Sequence, residues 1–348
     1  MEQVYSNNPL LELLARPALF VKDRRIIQAN EAARQRSITV GEPLDKYLIE
    51  NPEAYDQFTD GCLFLTLHIL DLPYGTVVTR MDGYDLFVME NIADSAQQAL
   101  ALAAQQLRQP LNTVFCIADD MANRKQAGQL TQGLNQIHRI ICNMSDLVRY
   151  TNRSALQIEA TDISSVFDET MEKAQTLLSK AGFKLHYTAL PEVVIGMADR
   201  EMLGRAINNL LSNAVKFSTK GSILDVQLVR TGNRLRFTVR DHGEGFSPEI
   251  LKQAFFRFLR EPAIEDSRHG LGLGLALVAS TAACHGGTVL IDQPQDGGTR
   301  VTMTLTITPC SDTTLRSPIR TPFSDYTGGH DHALMEFSEI LPVNFYKP

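Results

Sequence analysis

The sequence predicts a multidomain α+β protein with three folded parts and a polar tail. Strand-like runs separated by turns occupy residues 1–92, apolar residues recur at helical spacing in 93–155, and helices alternate with strands in 156–308. A chain of 348 residues, 44% hydrophobic and 21% charged, has room for two or three ordinary globular domains. Residues 309–348 are rich in Thr, Ser and Pro and end in a mildly amphipathic piece, 333–341.

The first part is predicted to be a small α/β domain. Strands at Ala18–Lys22 and Ile26–Ala29 flank a tight turn at Asp23-Arg24, and Asn30 opens a helix. Three further strands are expected at Cys62–Leu70, Thr76–Arg80 and Leu86–Glu90, with a hairpin turn at Met81–Tyr84. This order of elements resembles a PAS-type sensory domain.

The second part, residues 93–155, is predicted to be an antiparallel helical hairpin. Its apolar seams are formed by Leu100, Ala104, Leu107, Leu111, Val114, Ala118 and Met121 and by Leu130, Leu134, Ile137, Ile141, Met144 and Val148. The turn is expected at Arg124–Gln129, with Gly128 in it. Because a two-helix hairpin leaves one side of its seam open, two copies would complete a four-helix bundle, and we expect a homodimer.

The third part, residues 156–308, is predicted to be a two-layer α/β sandwich. Helices are expected at Ile163–Ala181 and Asp199–Ser218, followed by two more helices after residue 241. Strands are expected at Lys184–Ala189, Ile223–Arg230, Arg234–Asp241, Gly287–Asp292 and Gly298–Ile307.

A polar helix in the third part suits a magnesium nucleotide. In the segment NNLLSNAVKFS, Asn209 and Asn213 are four residues apart and share one helix face. An amide oxygen there can ligate Mg²⁺, which prefers oxygen ligands, and Lys216 can meet phosphate oxygens. Two asparagines on a helix are more often surface residues, so this segment indicates a nucleotide site only together with the segments that follow it.

Two glycine-rich segments and an aromatic one follow it. In VRDHGEGF a strand ends at Asp241, whose carboxylate suits an exocyclic amine such as that of adenine, and Gly243 and Gly245 let the backbone approach a ligand. The aromatic segment FFRFLR, 255–260, can anchor a mobile segment. In HGLGLGLALV, 269–278, glycines lead into a helix whose free N–H groups favour a phosphate.

These four segments, in this order, resemble the N box, glycine boxes and F box of the ATP-binding domain of sensor histidine kinases, in the superfamily of gyrase, Hsp90 and MutL. The resemblance implies the cofactors ATP and Mg²⁺, with Mg²⁺ held at Asn213 beside Asn209. It places Lys216, a catalytic residue, at the phosphates, Phe217 against adenine, and Asp241 on the adenine amino group. It implies that the rest of the nucleotide site is formed by Gly243, Gly245, Gly270, Leu271, Gly272, Leu273, Gly274 and Thr299.

The helical hairpin resembles the dimerisation and phosphoacceptor domain of the same family, whose signature is H-E-L-R-[TN]-P-L. The matching stretch here is QQLRQPL, in which Gln105 replaces the histidine and Gln106 the acid. An imidazole nitrogen can attack a γ-phosphate, whereas a carboxamide cannot, because its nitrogen lone pair is delocalised. We therefore expect no autophosphorylation at this position. The other histidine of the hairpin is His138, which is more simply a surface residue.

Three functions fit these observations. The first is an ATP-binding pseudokinase that takes part in two-component-type signalling, its dimer being read by a response regulator or another signalling protein. The second is an active enzyme, either a kinase that uses another acceptor or a partner's histidine, or a phosphatase that uses Gln109 to orient a water. The third is a dimeric scaffold with a vestigial nucleotide site. The filled nucleotide positions argue against the third.

Composition and charge exclude several classes of protein. A net charge of −7 argues against broad nucleic-acid binding, which needs a basic face. The five cysteines lack the spacing of metal ligands and fit reduced thiols of a cytosolic protein. No run of about 20 apolar residues and no signal peptide is visible, so we expect no membrane span and a cytoplasmic location.

Overall fold

A computed structural model describes residues 9–14, 16–47, 52–70, 72–81, 83–90, 107, 114, 124–151, 156–243, 245, 273–310 and 331–346. The helices in these residues are α1 Pro9–Glu12, α2 Glu31–Arg34, α3 Pro52–Asp56, α4 Arg124–Thr151, α5 Ile163–Ala181, α6 Arg200–Lys216, α7 Gly274–Cys284 and α8 His332–Glu336. The strands are β1 Ala18–Lys22, β2 Arg25–Ala29, β3 Cys62–Ile69, β4 Leu72–Met81, β5 Tyr84–Glu90, β6 Glu159–Asp162, β7 Lys184–Thr188, β8 Ile195–Ala198, β9 Ile223–Thr231, β10 Arg234–Arg240, β11 Val289–Asp292 and β12 Arg300–Thr306.

The N-terminal strands form at or near their predicted positions, although β4 begins at Leu72, four residues before its predicted start at Thr76. β1 and β2 are joined by Asp23 and Arg24, which have φ angles of 48° and 60°, as a two-residue turn between twisted strands requires. Asn30 caps α2, because its Oδ1 accepts from the backbone N–H of Ala33 at 3.0 Å and also from that of Ala18 at 3.0 Å. β3, β4 and β5 follow as an antiparallel meander.

Three helices, α5, α6 and α7, pack with a sheet that contains β7, β9, β10, β12 and β11. Helix α5 has the predicted bounds because Asp162 caps its start and Gly182, at φ 93°, ends it in a left-handed conformation. The core between the layers includes Phe167 of α5 and Phe237 of β10, whose ring centroids are 4.9 Å apart. This confirms the two-layer α/β arrangement of the C-terminal domain.

The sheet of this domain continues into the N-terminal strands. β3 pairs antiparallel with β11, with Cys62 opposite Ile291 and Phe64 opposite Val289. The result is one ten-stranded sheet in the order β2-β1-β5-β4-β3-β11-β12-β10-β9-β7. Each strand of this junction covers the edge of the other, so neither edge exposes unpaired backbone groups. No pattern in the sequence indicates this junction.

Helix α4 corrects the predicted position of the hairpin turn. Residues 124–129 are its first turns rather than a loop, and Gly128 lies inside it. A Cβ at Gly128 would come within 2.9 Å of Val343 Cγ1, so the glycine allows the C-terminal segment to approach the helix. Of the predicted first helix, only Leu107 and Val114 are among the described residues, and both are helical.

The C-terminal segment, residues 331–346, is folded against the rest of the protein. Asp331 caps α8, accepting from the N–H of Ala333 at 2.8 Å, and a 3₁₀ helix at Val343–Tyr346 ends the segment. Its apolar side chains at Ala333, Phe337, Leu341 and Tyr346 are buried in the core of the C-terminal domain. Among the helices that the structure describes, none is long and apolar enough to cross a membrane.

Candidate nucleotide-binding site

The start of α6 is fixed by Asp199. Its Oδ1 accepts from the N–H of Met202 at 3.0 Å and its Oδ2 from that of Gln157 at 3.0 Å. Its own N–H donates to His285 Nε2 at 3.1 Å, and His285 Nδ1 lies 2.8 Å from the carbonyl oxygen of Thr281. His285 is therefore the neutral tautomer that carries its proton on Nδ1, and burial lowers its pKa.

The amides of α6 meet the N-terminus of α7. Asn209 is buried and its Nδ2 donates to the carbonyl oxygen of Arg205 at 3.0 Å, which fixes the amide orientation. A Cβ at Gly274 would lie 2.8 Å from Asn209 Oδ1 and 3.3 Å from Asn213 Nδ2, so only glycine lets α7 start this close to α6. The structure thus brings the amide oxygen of Asn209 and the amide nitrogen of Asn213 to the first residue of α7, where free helix N–H groups favour a phosphate.

Asp241 is held by backbone donors just beyond the end of β10. Its Oδ1 accepts from the N–H of Gly243 at 2.9 Å and from that of Thr299 at 3.1 Å. Burial raises the pKa of Asp241, and the two backbone donors oppose that shift. A Cβ at Gly243 would overlap the carbonyl oxygen of Phe217, the C-cap residue of α6, so this loop is pressed against the end of α6.

Lys216, at the last turn of α6, forms an ion pair with Glu339 of the C-terminal segment. Arg139 of α4 forms an ion pair with the same carboxylate. The side chain of Lys216 is only 9% exposed and that of Arg139 7% exposed. Burial and the neighbouring Arg139 lower the pKa of Lys216, whereas Glu339 opposes this shift.

The remaining predicted site residues divide into two groups. Gly245 is described and has a φ of 75°, a left-handed conformation that favours glycine. Leu273 is buried among Ile140, Met202 and Leu277, so its side chain serves packing and only its backbone is available to a ligand. Lying outside the described residues are Gln105, Gln106, Gln109, Gly270, Leu271, Gly272 and the aromatic segment 255–260.

Sequence reasoning missed the residues that the C-terminal segment and α4 bring to the site. Arg139 looks like an ordinary polar residue beside an apolar seam, and Glu339 lies in a segment predicted to be a polar tail. His285 was also missed, because nothing in its neighbourhood in the sequence marks it as the acceptor for the backbone of Asp199. Only the amphipathic pattern of 333–341 could have indicated that this segment docks.

Part of this chain is similar to known proteins. Residues 198–309 match the family model of the histidine kinase-, DNA gyrase B-, and HSP90-like ATPases. This part of the chain is similar to the ATPase domains of that family. The heme sensor protein HssS of Staphylococcus saprophyticus is 26% identical over 68% of this chain and 52% of its own length. The histidine protein kinase DivJ of Caulobacter vibrioides is 30% identical over 63% of this chain and 38% of its own length.

The chain thus spans about half the length of these curated relatives or less. Among solved structures, that of the mycobacterial sensor histidine kinase MprB is similar at 30% sequence identity, with a TM-score of 0.36. The match covers 44% of this chain and 99% of that one. The relatives of this chain include sensor histidine kinases, among them YvrG of Bacillus subtilis, which is 25% identical over 62% of this chain and 39% of its own length.

Proposed function

We propose that this protein binds Mg-ATP and acts as a histidine-kinase-like component of two-component-type signalling, without autophosphorylating at Gln105. The observation that carries the proposal is the approach of Gly274 to Asn209 and Asn213. Two asparagine amides lie beside the N-terminus of an 11-residue helix, and this supports the proposal because an amide oxygen can hold Mg²⁺ and helix N–H groups can bind phosphate. Asp241, held by two backbone N–H groups, supplies an acceptor for adenine.

The polar groups of the proposed site fit Mg-ATP. Asn213 is the proposed Mg²⁺ ligand and Asn209 supports it, while Lys216 is the cation for the phosphates. Bound Mg²⁺ would neutralise phosphate charge. Phe217 is proposed to lie against the base, and Gly270, Leu271, Gly272 and Leu273 are proposed to line the phosphates through their backbone.

Calorimetric titration of the whole protein with Mg-ATP tests the nucleotide site. We expect saturable binding that Asn213→Ala weakens about tenfold or more, since a hydrogen-bonding or ligating group to a charged ligand contributes about 1.5–3 kcal/mol. The matched control is Asn233→Ala, because Asn233 is exposed in the turn between β9 and β10. If the parent does not bind Mg-ATP, or if both variants bind equally well, the site assignment is wrong.

The lack of autophosphorylation follows from the chemistry of Gln105, whose amide nitrogen is not a nucleophile. Incubation of the parent with labelled ATP should yield no acid-labile phosphohistidine. Recovery of label in Gln105→His combined with Gln106→Glu would show that the nucleotide domain is competent and that only the acceptor is missing. Strong labelling of the parent would contradict the proposal, and a label mapped to His138 would identify a different acceptor.

We further propose that the protein is a homodimer through residues 93–155, with a PAS-like sensory region in 1–92 and a response regulator or another signalling protein as partner. The support for a dimer is the division of α4 into two faces. Its Arg139 and Ile140 are buried toward the C-terminal domain, whereas Leu134 and Ile141, which share another face of the helix, are 47% and 46% exposed. Large apolar side chains one heptad apart and exposed to this extent suit a helix–helix interface.

A further inference from the structure

The C-terminal segment, residues 331–346, is attached to both α6 and α4. Gln132 Nε2 of α4 donates to the carbonyl oxygens of Ser338 at 2.8 Å and Leu341 at 3.0 Å. Ser212 Oγ of α6 donates to the carbonyl oxygen of Glu336 at 3.2 Å. Together with the buried apolar side chains of the segment, these bonds define one docked position on the helix that carries the proposed magnesium and phosphate ligands.

A single carboxylate of the segment joins the two cations at this place. Glu339 is ion-paired with Lys216 and with Arg139, and its side chain is 22% exposed. Although burial favours the protonated acid, the charges of Arg139 and Lys216 outweigh it and lower the pKa of Glu339. Glu336 lies close enough for both cations to stabilise its ionised form, although burial raises its pKa.

The docked segment leaves little room beside the α6 amides. The cavity between α4, α6 and α8 has a volume of about 20 Å³ and is lined by Asn208, Asn209, His332, Met335 and Glu336 among others. A cavity of that size holds about one water molecule. Within the described residues, the buried Oδ1 of Asn208 has no hydrogen-bond partner. A polyphosphate cannot reach Lys216 while Glu339 occupies it.

We propose that Lys216 and Arg139 form one anion site with two alternative occupants, the carboxylate of Glu339 and the phosphates of ATP. The inference rests on the proposed ATP binding, and it adds that the nucleotide must displace residues 331–346 to reach Lys216. It also assigns a role in phosphate binding to Arg139, which belongs to α4 and lies outside the ATPase domain. Since the same segment bonds α4, its displacement releases α4 from contacts that tie it to the ATPase domain.

The inference is tested with Glu339→Gln in the whole protein. Loss of the carboxylate leaves two buried cations short of an anion, so the segment should undock. Apparent affinity for a ligand scales with the fraction of protein that is open to it, so Mg-ATP should bind about tenfold or more tightly than to the parent. The matched control is Glu169→Gln, since Glu169 is ion-paired with Arg200 on the surface.

Hydrogen exchange of residues 331–346 gives a second measurement that does not depend on affinity. Exchange should speed up in Glu339→Gln, and in the parent on addition of Mg-ATP or of inorganic tripolyphosphate. Arg139→Gln should bind tripolyphosphate more weakly than does Glu339→Gln. Equal ATP affinity in parent and Glu339→Gln, with the segment still protected at saturating ATP, overturns this inference and leaves the proposed function standing. Absence of ATP binding in every variant, including those with an undocked segment, overturns both.

Discussion

Replacement of Asp241 by asparagine should weaken ATP binding while leaving the fold intact. In the parent, Oδ1 of Asp241 accepts from the N–H groups of Gly243 and Thr299 at 2.9 and 3.1 Å. The amide oxygen of asparagine can take over both bonds, so the loop keeps its geometry. The second oxygen becomes an NH₂ group, which would face the exocyclic amine of adenine with a donor against a donor.

The expected loss follows from the strength of the bond that disappears. A hydrogen bond to a charged group contributes about 1.5–3 kcal/mol. At about 1.36 kcal/mol per factor of ten, this corresponds to a dissociation constant for Mg-ATP that is about 10- to 150-fold higher. Thermal stability should be unchanged or higher, because burial raises the pKa of Asp241 and the neutral amide avoids the cost of a buried charge.

The assay is calorimetric titration with Mg-ATP and Mg-GTP near neutral pH, together with a thermal melt. GTP is informative because the O6 atom of guanine is an acceptor, which the amide NH₂ of asparagine can meet. Relative to the parent protein, Asp241→Asn should therefore lose much less affinity for GTP than for ATP. Asp168→Asn is the control, since Asp168 accepts from Tyr187 Oη at 2.8 Å on the surface, away from the site. Unchanged ATP affinity in a folded Asp241→Asn protein would refute the assignment of Asp241 to adenine.

The same residue predicts a pH dependence of binding. The adenine amine would donate to Asp241 Oδ2, because both backbone N–H groups donate to Oδ1. Protonation of Oδ2 makes it a donor, and burial raises the pKa of Asp241 in the protein without nucleotide. ATP affinity should therefore fall on acidification at a higher pH than an ordinary aspartate with a pKa of about 3.9 would give. This fall should be absent in Asp241→Asn.

Three further predictions concern packing, tautomer and assembly. Gly274→Ala should weaken Mg-ATP binding about tenfold or more and cost about 1–3 kcal/mol of stability, measured by calorimetry and denaturant unfolding, because its Cβ would lie 2.8 Å from Asn209 Oδ1. Burial lowers the pKa of His285 in the folded state. As the pH falls below about 6.5, the parent should therefore lose up to about 1.4 kcal/mol of unfolding free energy per pH unit. This loss should be absent in His285→Gln. Leu134→Glu with Ile141→Glu should turn a dimer into a monomer in light scattering, since both side chains are exposed on α4.

Two matched control variants separate these effects from a non-specific loss of folding. Gly204→Ala in α6 meets only Thr170 Oγ1 at 3.7 Å, an ordinary contact, so it should leave ATP affinity unchanged. Val193→Glu adds a charge at a side chain that is 67% exposed in the C-terminal domain, so it should leave the mass in solution unchanged. If Gly274→Ala behaves like Gly204→Ala, or if the unfolding profile of His285→Gln follows that of the parent, those two interpretations fail. A monomeric parent would end the dimer proposal.

The sequence predicts those elements best whose ends are encoded locally. The bounds of α5 follow from the cap at Asp162 and the left-handed Gly182, both of which act within a few residues. The turn at Asp23-Arg24 follows in the same way. The segments around Asn209 and Asp241 also carry local signals, and the proposed nucleotide site rests on them. The resemblance to the ATP-binding domain of sensor histidine kinases then predicts that these separate segments form one site.

The elements that sequence reasoning missed depend on contacts between distant residues. Gly128 looks like a turn residue, yet it lies within α4, where the absence of a Cβ makes room for Val343, more than 200 residues later in the chain. The pairing of β3 with β11 likewise joins two strand edges that have no local signal for each other. Glu339 meets Arg139 across 200 residues, and a single acidic residue in a polar tail carries no pattern that indicates its partner.

The replacement of the acceptor histidine by Gln105 raises the question of what effect a bound nucleotide has on this protein. The docked segment, residues 331–346, suggests one. In the proposed pseudokinase no side chain accepts the γ-phosphate, so bound ATP would act only through differences in affinity between conformations. The proposed displacement of Glu339 from Lys216 and Arg139 would provide such a difference, because nucleotide binding would then break the bonds from Gln132 and Arg139 to the segment. The coupling is reciprocal. A partner that binds α4 where residues 331–346 now lie would raise the affinity of the protein for ATP. ATP would raise the affinity of the protein for that partner by the same factor.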